Sequence, residues 1–239
     1  MDKIKIFNSK ADLFSELTQL IQSELDSNDR INISLSGGST PKSLFQFWSE
    51  KHQSDIRWDS ICFFWGDERC VPPDDEQSNY GMTRKFLFDP LQISSENIYR
   101  IEGENDPDEE ALRYANILDD LLPQKDGLPR FDIMILGLGD DGHTASIFPH
   151  QIELWDSTEH CVVATHPYTG QKRVSLSGRM INNSGIVVFL VTGGNKKDVV
   201  EKILNSRQEV KNLFPAALVS PSSKKLTWYL DSEAAGNLK

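Results

Sequence analysis

Short apolar runs recur along the chain, separated by stretches whose apolar residues follow a helical period. The runs are IKIF at 4–7, INISL at 31–35, ICFFW at 61–65, DIMIL at 132–136, CVVAT at 161–165, RVSLS at 173–177 and IVVFLV at 186–191. Most are continuous rather than alternating, the pattern expected of strands buried on both faces. Ahead of INISL, Leu13, Phe14, Leu17, Leu20, Ile21 and Leu25 fall on one helical face; ahead of DIMIL, so do Ala111, Leu112, Ala115, Leu118, Leu121 and Leu122. Strand and helix in alternation predict an α/β fold with a mainly parallel central sheet flanked by helices. No repeat, linker or composition break divides the chain, so a single domain over residues 1–239 is expected.

Composition leaves that picture intact and narrows the partners. Of 239 residues, 38% are hydrophobic and 26% charged, which suits a folded globular protein and not a disordered one. The 36 acids outweigh 25 Lys plus Arg, for a formal net charge of -11. Such a field repels nucleic acid and anionic membrane surfaces, so neither is expected as a partner. A small anion can still bind where a few Arg, Lys and backbone N–H groups converge. The opening MDKIKIFNSKADLF lacks a signal pattern, and no run reaches the roughly 18 apolar residues of a membrane span, so a cytoplasmic location is expected. Cys62, Cys70 and Cys161 form no C-x-x-C and are expected to be reduced, buried thiols. The acidic EGENDPDEE at 102–110 is expected to be a solvated loop leading into a helix.

Three glycine-bearing loops follow three of the runs. In ISLSGGSTPKSLF, Ser36, Gly37, Gly38, Ser39 and Thr40 precede Pro41, a residue favoured at the first helical position. Free N–H groups there, aided by the helix dipole, would cradle a phosphate. No G-K-[ST] follows, so this is not a nucleotide triphosphate loop. In ICFFWGDERCVPPDDEQSNYGM, Asp67, Glu68 and Arg69 stand at a strand's carboxyl end, where open α/β sheets bind ligands. Arg69 could fork onto a phosphate, Asp67 could orient a hydroxyl or a catalytic partner, and Ser78 and Asn79 read as a helix cap or as substrate contacts. In IVVFLVTGGNKKDVVEKIL, Lys196 and Lys197 sit at a helix start, where the dipole disfavours them unless an anion binds; Lys197 is the expected bystander.

The stretch FDIMILGLGDDGHTASIFP contains G-x-G-x-x-G after a strand, with a helix expected beyond it. Asp140 and Asp141 would oppose a pyrophosphate, and no acid ends the next strand to hold a ribose, so dinucleotide binding is disfavoured. The better reading makes the glycines a tight turn that presents Asp141 and His143. Histidine accepts a proton from water near neutral pH, and a carboxylate can hold its tautomer. The five histidines show no H-E-x-x-H spacing and the chain no G-x-S-x-G, so neither a catalytic metal nor a Ser-His-Asp hydrolase is expected.

Taken in order, LSGGSTP, GDERCVPPDDEQSNYGM, GLGDDGHTASIFP, VTGG-x-K, PAALV and WYLD-x-x-AA resemble the 6-phosphogluconolactonase family, which shares its fold with glucosamine-6-phosphate deaminases. The resemblance implies a modified Rossmann-like three-layer sandwich, NagB-like in form. It implies a cofactor-free and metal-free cytoplasmic enzyme, a monomer or weak homodimer, that hydrolyses 6-phospho-D-glucono-1,5-lactone. It makes His143 the base, with Asp141 beside it and Asp67 near the sugar. Gly37, Gly38, Ser39, Thr40, Arg69 and Lys196 become phosphate ligands, with Arg173 completing the basic rim and Asn79 among the substrate contacts. Two alternatives are a deaminase-type enzyme and a sugar-phosphate sensor. The deaminase turn typically reads D-G-H-I-A-F-N-E-P; here Phe148 stands at the glutamate's position, and no helix-turn-helix precedes Ile31. Asp140 departs from the small or prolyl residue the family often carries there.

Overall fold

The computed structural model describes residues 3–238; Met1 and Lys239, the ends of the expected domain, lie outside them with Asp2. The chain begins with β1 (Lys3–Phe7), α1 (Lys10–Ser27), β2 (Ile31–Leu35), α2 (Ser39–Lys51), β3 (Ile61–Trp65) and β4 (Asp67–Arg69). Then come α3 (Asn79–Thr83), a π-helical turn over Arg84–Phe88, α4 (Asp89–Leu91) and α5 (Pro107–Leu121). A small hairpin, β5 (Gln124–Lys125) and β6 (Leu128–Pro129), leads to β7 (Ile133–Leu136), β8 (Cys161–Thr165), β9 (Lys172–Leu176) and α6 (Gly178–Asn183). The last elements are β10 (Ile186–Val191), α7 (Lys197–Val210), β11 (Leu226–Asp231) and α8 (Ser232–Ala235).

Six strands form one parallel sheet in the order β1-β11-β10-β7-β2-β3. The runs in β3, β7 and β10 are unbroken because helices cover the sheet, and every residue of these three strands is buried; in β2, Asn32 and Ser34 interrupt the apolar residues. β7 pairs with β2 on the side away from β3, so the winding reverses between them, and the crevice beyond their carboxyl ends is where such sheets take ligands.

CVVAT and RVSLS do not join this sheet. They form β8 and β9 of a separate antiparallel sheet, ordered β4-β9-β8, with β9 starting one residue earlier than expected. Gly66 links the two sheets: its N–H donates to the Leu35 carbonyl at 2.9 Å, and its own carbonyl accepts from Leu176 N–H at 2.9 Å. Tyr114 of α5 secures this corner, its hydroxyl accepting from Trp65 N–H at 2.9 Å and donating to Trp65 O at 3.1 Å.

Two readings of periodicity need correction. On α5 the inward face is Ala111, Tyr114 and Leu118, three and four residues apart, while Leu112 and Leu121 point outward. The acidic segment is not wholly solvated either: Glu110 is buried and takes hydrogen bonds from Glu102 N–H, Asn105 and Arg113. β11 is not among the runs expected from the sequence, yet it lies inside the sheet between β1 and β10. Cys62 and Cys161 are buried, Cys70 is partly so, and all three are free. Burial raises each thiol pKa, that of Cys70 to about 11. Among the described residues, no helix is long and apolar enough to cross a membrane.

Candidate active site

The segments that follow four adjacent strands, β10, β7, β2 and β3, carry the residues singled out above, except Arg173, which comes from β9 of the small sheet. After β2, Gly38 takes φ 107° and ψ -176° as the N-cap of α2. It brings no capping side chain, so the first-turn N–H groups are left for another acceptor. The helix starts at Ser39, not Pro41; Pro41 falls in the first turn, where its missing N–H costs no intrahelical bond. A cleft of about 130 Å³ is lined by Gly37, Gly38, Ser39, Thr40, Thr192 and Lys196, among others. Thr40 and Thr192 join its two sides through a 2.8 Å hydroxyl contact.

After β3, the chain enters β4, whose register with β9 sets Arg69 directly opposite Arg173. Like charges facing each other across a ladder are unfavourable unless something anionic joins them. Both Nε atoms are buried without a partner among the described residues. Arg69 donates to Gln77 O at 2.6 Å, and among the described residues the one side-chain hydrogen bond of Arg173 is to Ser146 Oγ, at 3.4 Å. Burial, with the charge of Arg69, draws the Arg173 pKa below the ordinary arginine value. Asp67 is buried and accepts from Ser146 Oγ at 2.5 Å. Asn79 is 1% exposed; its Nδ2 donates to Asp67 O at 2.9 Å, and its Oδ1 abuts Gly37 so closely that a Cβ there would lie at 1.7 Å.

After β7, Gly137 to His143 form the expected tight turn, with Gly142 at φ 83°. Gly139 N–H donates to His143 O at 2.9 Å, and Thr144 Oγ1 closes the turn on Gly137 O at 2.9 Å. The helix expected beyond it is missing: Thr144 to Ile147 form a bridge and a 3-10 stretch begins only at Pro149. Without a helix N-terminus behind the glycines there is no pyrophosphate seat, and the dinucleotide reading falls. His143 Nδ1 lies 2.6 Å from Asp141 Oδ1, and the same oxygen accepts His143 N–H at 3.1 Å. Burial opposes the charge of Asp141, but the hydrogen bonds and charge of His143 prevail and hold its pKa below the ordinary value. With Nδ1–H pledged to the carboxylate, Nε2 keeps the lone pair.

After β10, Lys196 is not unpartnered. It pairs with Asp140 across the cleft, and Asn195 Nδ2 also donates to Asp140 at 3.1 Å. The acid that departs from the family pattern thus accounts for part of the lysine's placement. Lys197 packs its stem against Gly236.

A cavity of about 180 Å³ brings together Gly37, Gly38, Asp67, Arg69, Asn79, His143, Arg173 and Lys196. A larger groove of about 620 Å³ beside it shares Gly38, Arg69 and Asn79 but not the His143–Asp141 pair. Among the described residues, no group of three or more His, Cys, Asp or Glu is arranged to hold a metal ion. Four supporting residues were given no site role from the sequence. Ser146 bridges Asp67 and Arg173; Glu68 takes N–H groups from Arg69, Asn79 and Tyr80; Asp231 accepts Gly193 N–H at 3.0 Å; Phe148 packs on His143. Glu68, between Asp67 and Arg69, and Ser146 and Phe148, three and five residues past His143, lie close in the chain to named site residues; Asp231 does not.

The chain matches the family described as glucosamine-6-phosphate isomerases/6-phosphogluconolactonase over residues 8–228. It is 44% identical over 201 residues to a 6-phosphogluconolactonase of Treponema pallidum, covering 84% of this chain and 83% of that protein. A solved structure described as devB protein is 39% identical with a TM-score of 0.94, covering 100% of both chains. The crystal structure of 6-phosphogluconolactonase from Leishmania guyanensis is 29% identical with a TM-score of 0.88, covering 100% of this chain and 99% of that one.

Proposed function

The chain belongs to the glucosamine-6-phosphate isomerase/6-phosphogluconolactonase family, and from that premise we propose that it hydrolyses 6-phospho-D-glucono-1,5-lactone to 6-phospho-D-gluconate, in the oxidative branch of the pentose phosphate pathway. The observation that carries the reading is one cavity holding an Asp-oriented histidine and two arginines set face to face, each with a buried Nε that has no hydrogen-bond partner among the described residues. That is a water-activating base beside a seat for a dianion.

The chemistry runs as follows. The phosphate binds between the N–H groups at Gly38–Thr40, Lys196 and the arginine pair, and this handle sets the lactone carbonyl beside His143. Nε2 of His143 takes a proton from water as the water oxygen bonds to the carbonyl carbon, and Asp141 steadies the imidazolium. The tetrahedral oxyanion collapses, the carbon–ring-oxygen bond breaks, and the ring oxygen takes the proton back from His143 to become a hydroxyl. The new carboxylic acid then ionises to solvent. A cationic or N–H donor at the cavity wall stabilises the oxyanion. Asp67, fixed by Ser146, orients a sugar hydroxyl, and Asn79 shapes the wall beside Gly37. Phe148 against His143 supports the lactonase over the deaminase, since it supplies no carboxylate for ring opening. We take the active form to be a single catalytic domain over residues 1–239, cytoplasmic, a monomer or weak homodimer, acting without nucleic acid.

The test is the disappearance of freshly generated lactone with and without purified protein in chelating buffer, against the spontaneous rate. Marked acceleration is expected. His143→Ala should cut kcat about a thousandfold while inorganic phosphate binding stays nearly unchanged. Arg69→Ala or Lys196→Ala should mainly raise KM. A fully active His143→Ala variant sinks the mechanism.

A further inference from the structure

Phe148 is 1% exposed yet stands outside the contiguous hydrophobic core. A buried phenyl ordinarily packs among aliphatic side chains. This ring meets the imidazole of His143 at 4.7 Å between centroids, tilted by 50°, that of His166 edge-on at 5.4 Å and that of His150 at 5.9 Å. The Arg173 guanidinium lies over it at 5.5 Å. Neither main partner is well fixed by hydrogen bonds. Among the described residues the His143 imidazole is hydrogen-bonded at Nδ1 alone, to Asp141, and a ring held at one corner can pivot about it. Arg173 donates one long bond to Ser146, and its Nε has no partner among the described residues.

Charge points the same way. Arg173 is permanently cationic, and His143 becomes so when it takes the proton from water, within one small cavity. The negative face of an aromatic ring attracts cations, so a phenyl in contact with both favours the charged state that an aliphatic side chain would not. The other charged and titratable groups about His143 are Asp141 on its own turn, Asp67 and Arg69 from β4, Lys196 across the cavity, and His150 and His166 beyond the ring. His166 accepts Tyr168 and Thr169 N–H on Nδ1, which leaves its proton on Nε2. Burial, followed by the charges of Arg173 and His143, keeps its pKa below the ordinary histidine value.

We propose that Phe148 is a positioning residue for the lactonase reaction: its ring fixes the His143 imidazole and the Arg173 guanidinium relative to each other and eases the protonation of His143 beside that cation. This rests on the reading of His143 as the base. The test compares Phe148→Leu, similar in size without a π face, with Phe148→Tyr, which keeps the ring. In Phe148→Leu, kcat should fall at least about tenfold with KM changing less than about threefold. Phe148→Tyr should stay within about threefold of wild type in both constants.

An arm independent of turnover is the downfield proton NMR resonance of the Asp141–His143 bond. It should be present in wild type and Phe148→Tyr, and lost to exchange with water in Phe148→Leu, at melting temperatures within a few degrees of one another. Should Phe148→Leu not fold, Phe148→Met is read in the same way. Wild-type kcat and an unchanged resonance in Phe148→Leu overturn the proposal, as does a rise in KM alone. Wild-type protein that fails to accelerate lactone hydrolysis defeats the reading under Proposed function instead, and the resonance still decides whether the ring positions His143.

Discussion

A Cβ placed on Gly139 would stand 2.1 Å from His143 Nδ1 and 2.6 Å from Asp141 Oδ1. The glycine is needed for room and not for an unusual backbone angle, because the imidazole and carboxylate lie directly on its Cα. Gly139→Ala is therefore expected to push the pair out of line and lower kcat about a hundredfold, the cost of an ångström-scale misplacement of a catalytic group. Its stability to urea should change little, since the atoms that must give way are the partly exposed ends of two side chains and not backbone, and steady-state kinetics beside a urea titration would check both halves. A variant with normal kcat would mean that the pair is not needed in this arrangement. The sequence made a tight turn under His143 legible. Which glycine makes way for which side chain was not, because that depends on where the imidazole folds back.

β4 has only three residues, Asp67, Glu68 and Arg69, and no apolar period to announce it. Its pairing with β9 makes it a strand, and Glu68 ties it to α3 by accepting Asn79 and Tyr80 N–H at 2.8 and 2.7 Å and the Ser78 hydroxyl at 3.1 Å. Burial pushes the Glu68 carboxyl from 4.5 up to about 7, against the pull of those N–H donors. A raised acid favours the protonated fold, so its contribution to stability is complete below about pH 4.5 and is lost as pH rises through about 7. Measured by urea unfolding at pH 5 and pH 8, wild type should lose up to about 3 kcal/mol relative to Glu68→Gln. Equal pH dependence in the two proteins would show that Glu68 stays ionised throughout, held by its four donors.

For the molecule as a whole, the last strand is the decisive one. β11 separates β1 from β10, stacks Trp228 on Phe189 at 3.9 Å and 14°, and ends in Asp231, which caps α8 and holds the Gly193 loop. A chain ending at residue 225 should not fold, as far-UV circular dichroism would reveal. Trp228→Ala alone should cost about 3–5 kcal/mol, out of the roughly 5–15 kcal/mol that hold a typical domain together. Most strands, the α/β class, the acidic surface and the His143–Asp141 turn could be read from the chain, because each is a pattern among near neighbours. Tertiary structure alone decided that Arg69 faces Arg173, that Ser146 reaches Asp67 from 79 positions away, that Asp231 anchors Gly193, and that Phe148 packs among imidazoles and not in the core. Local periodicity records which face of an element is apolar. It does not record which strand lies beside which, and an arginine in a loop reads the same as one set opposite its like.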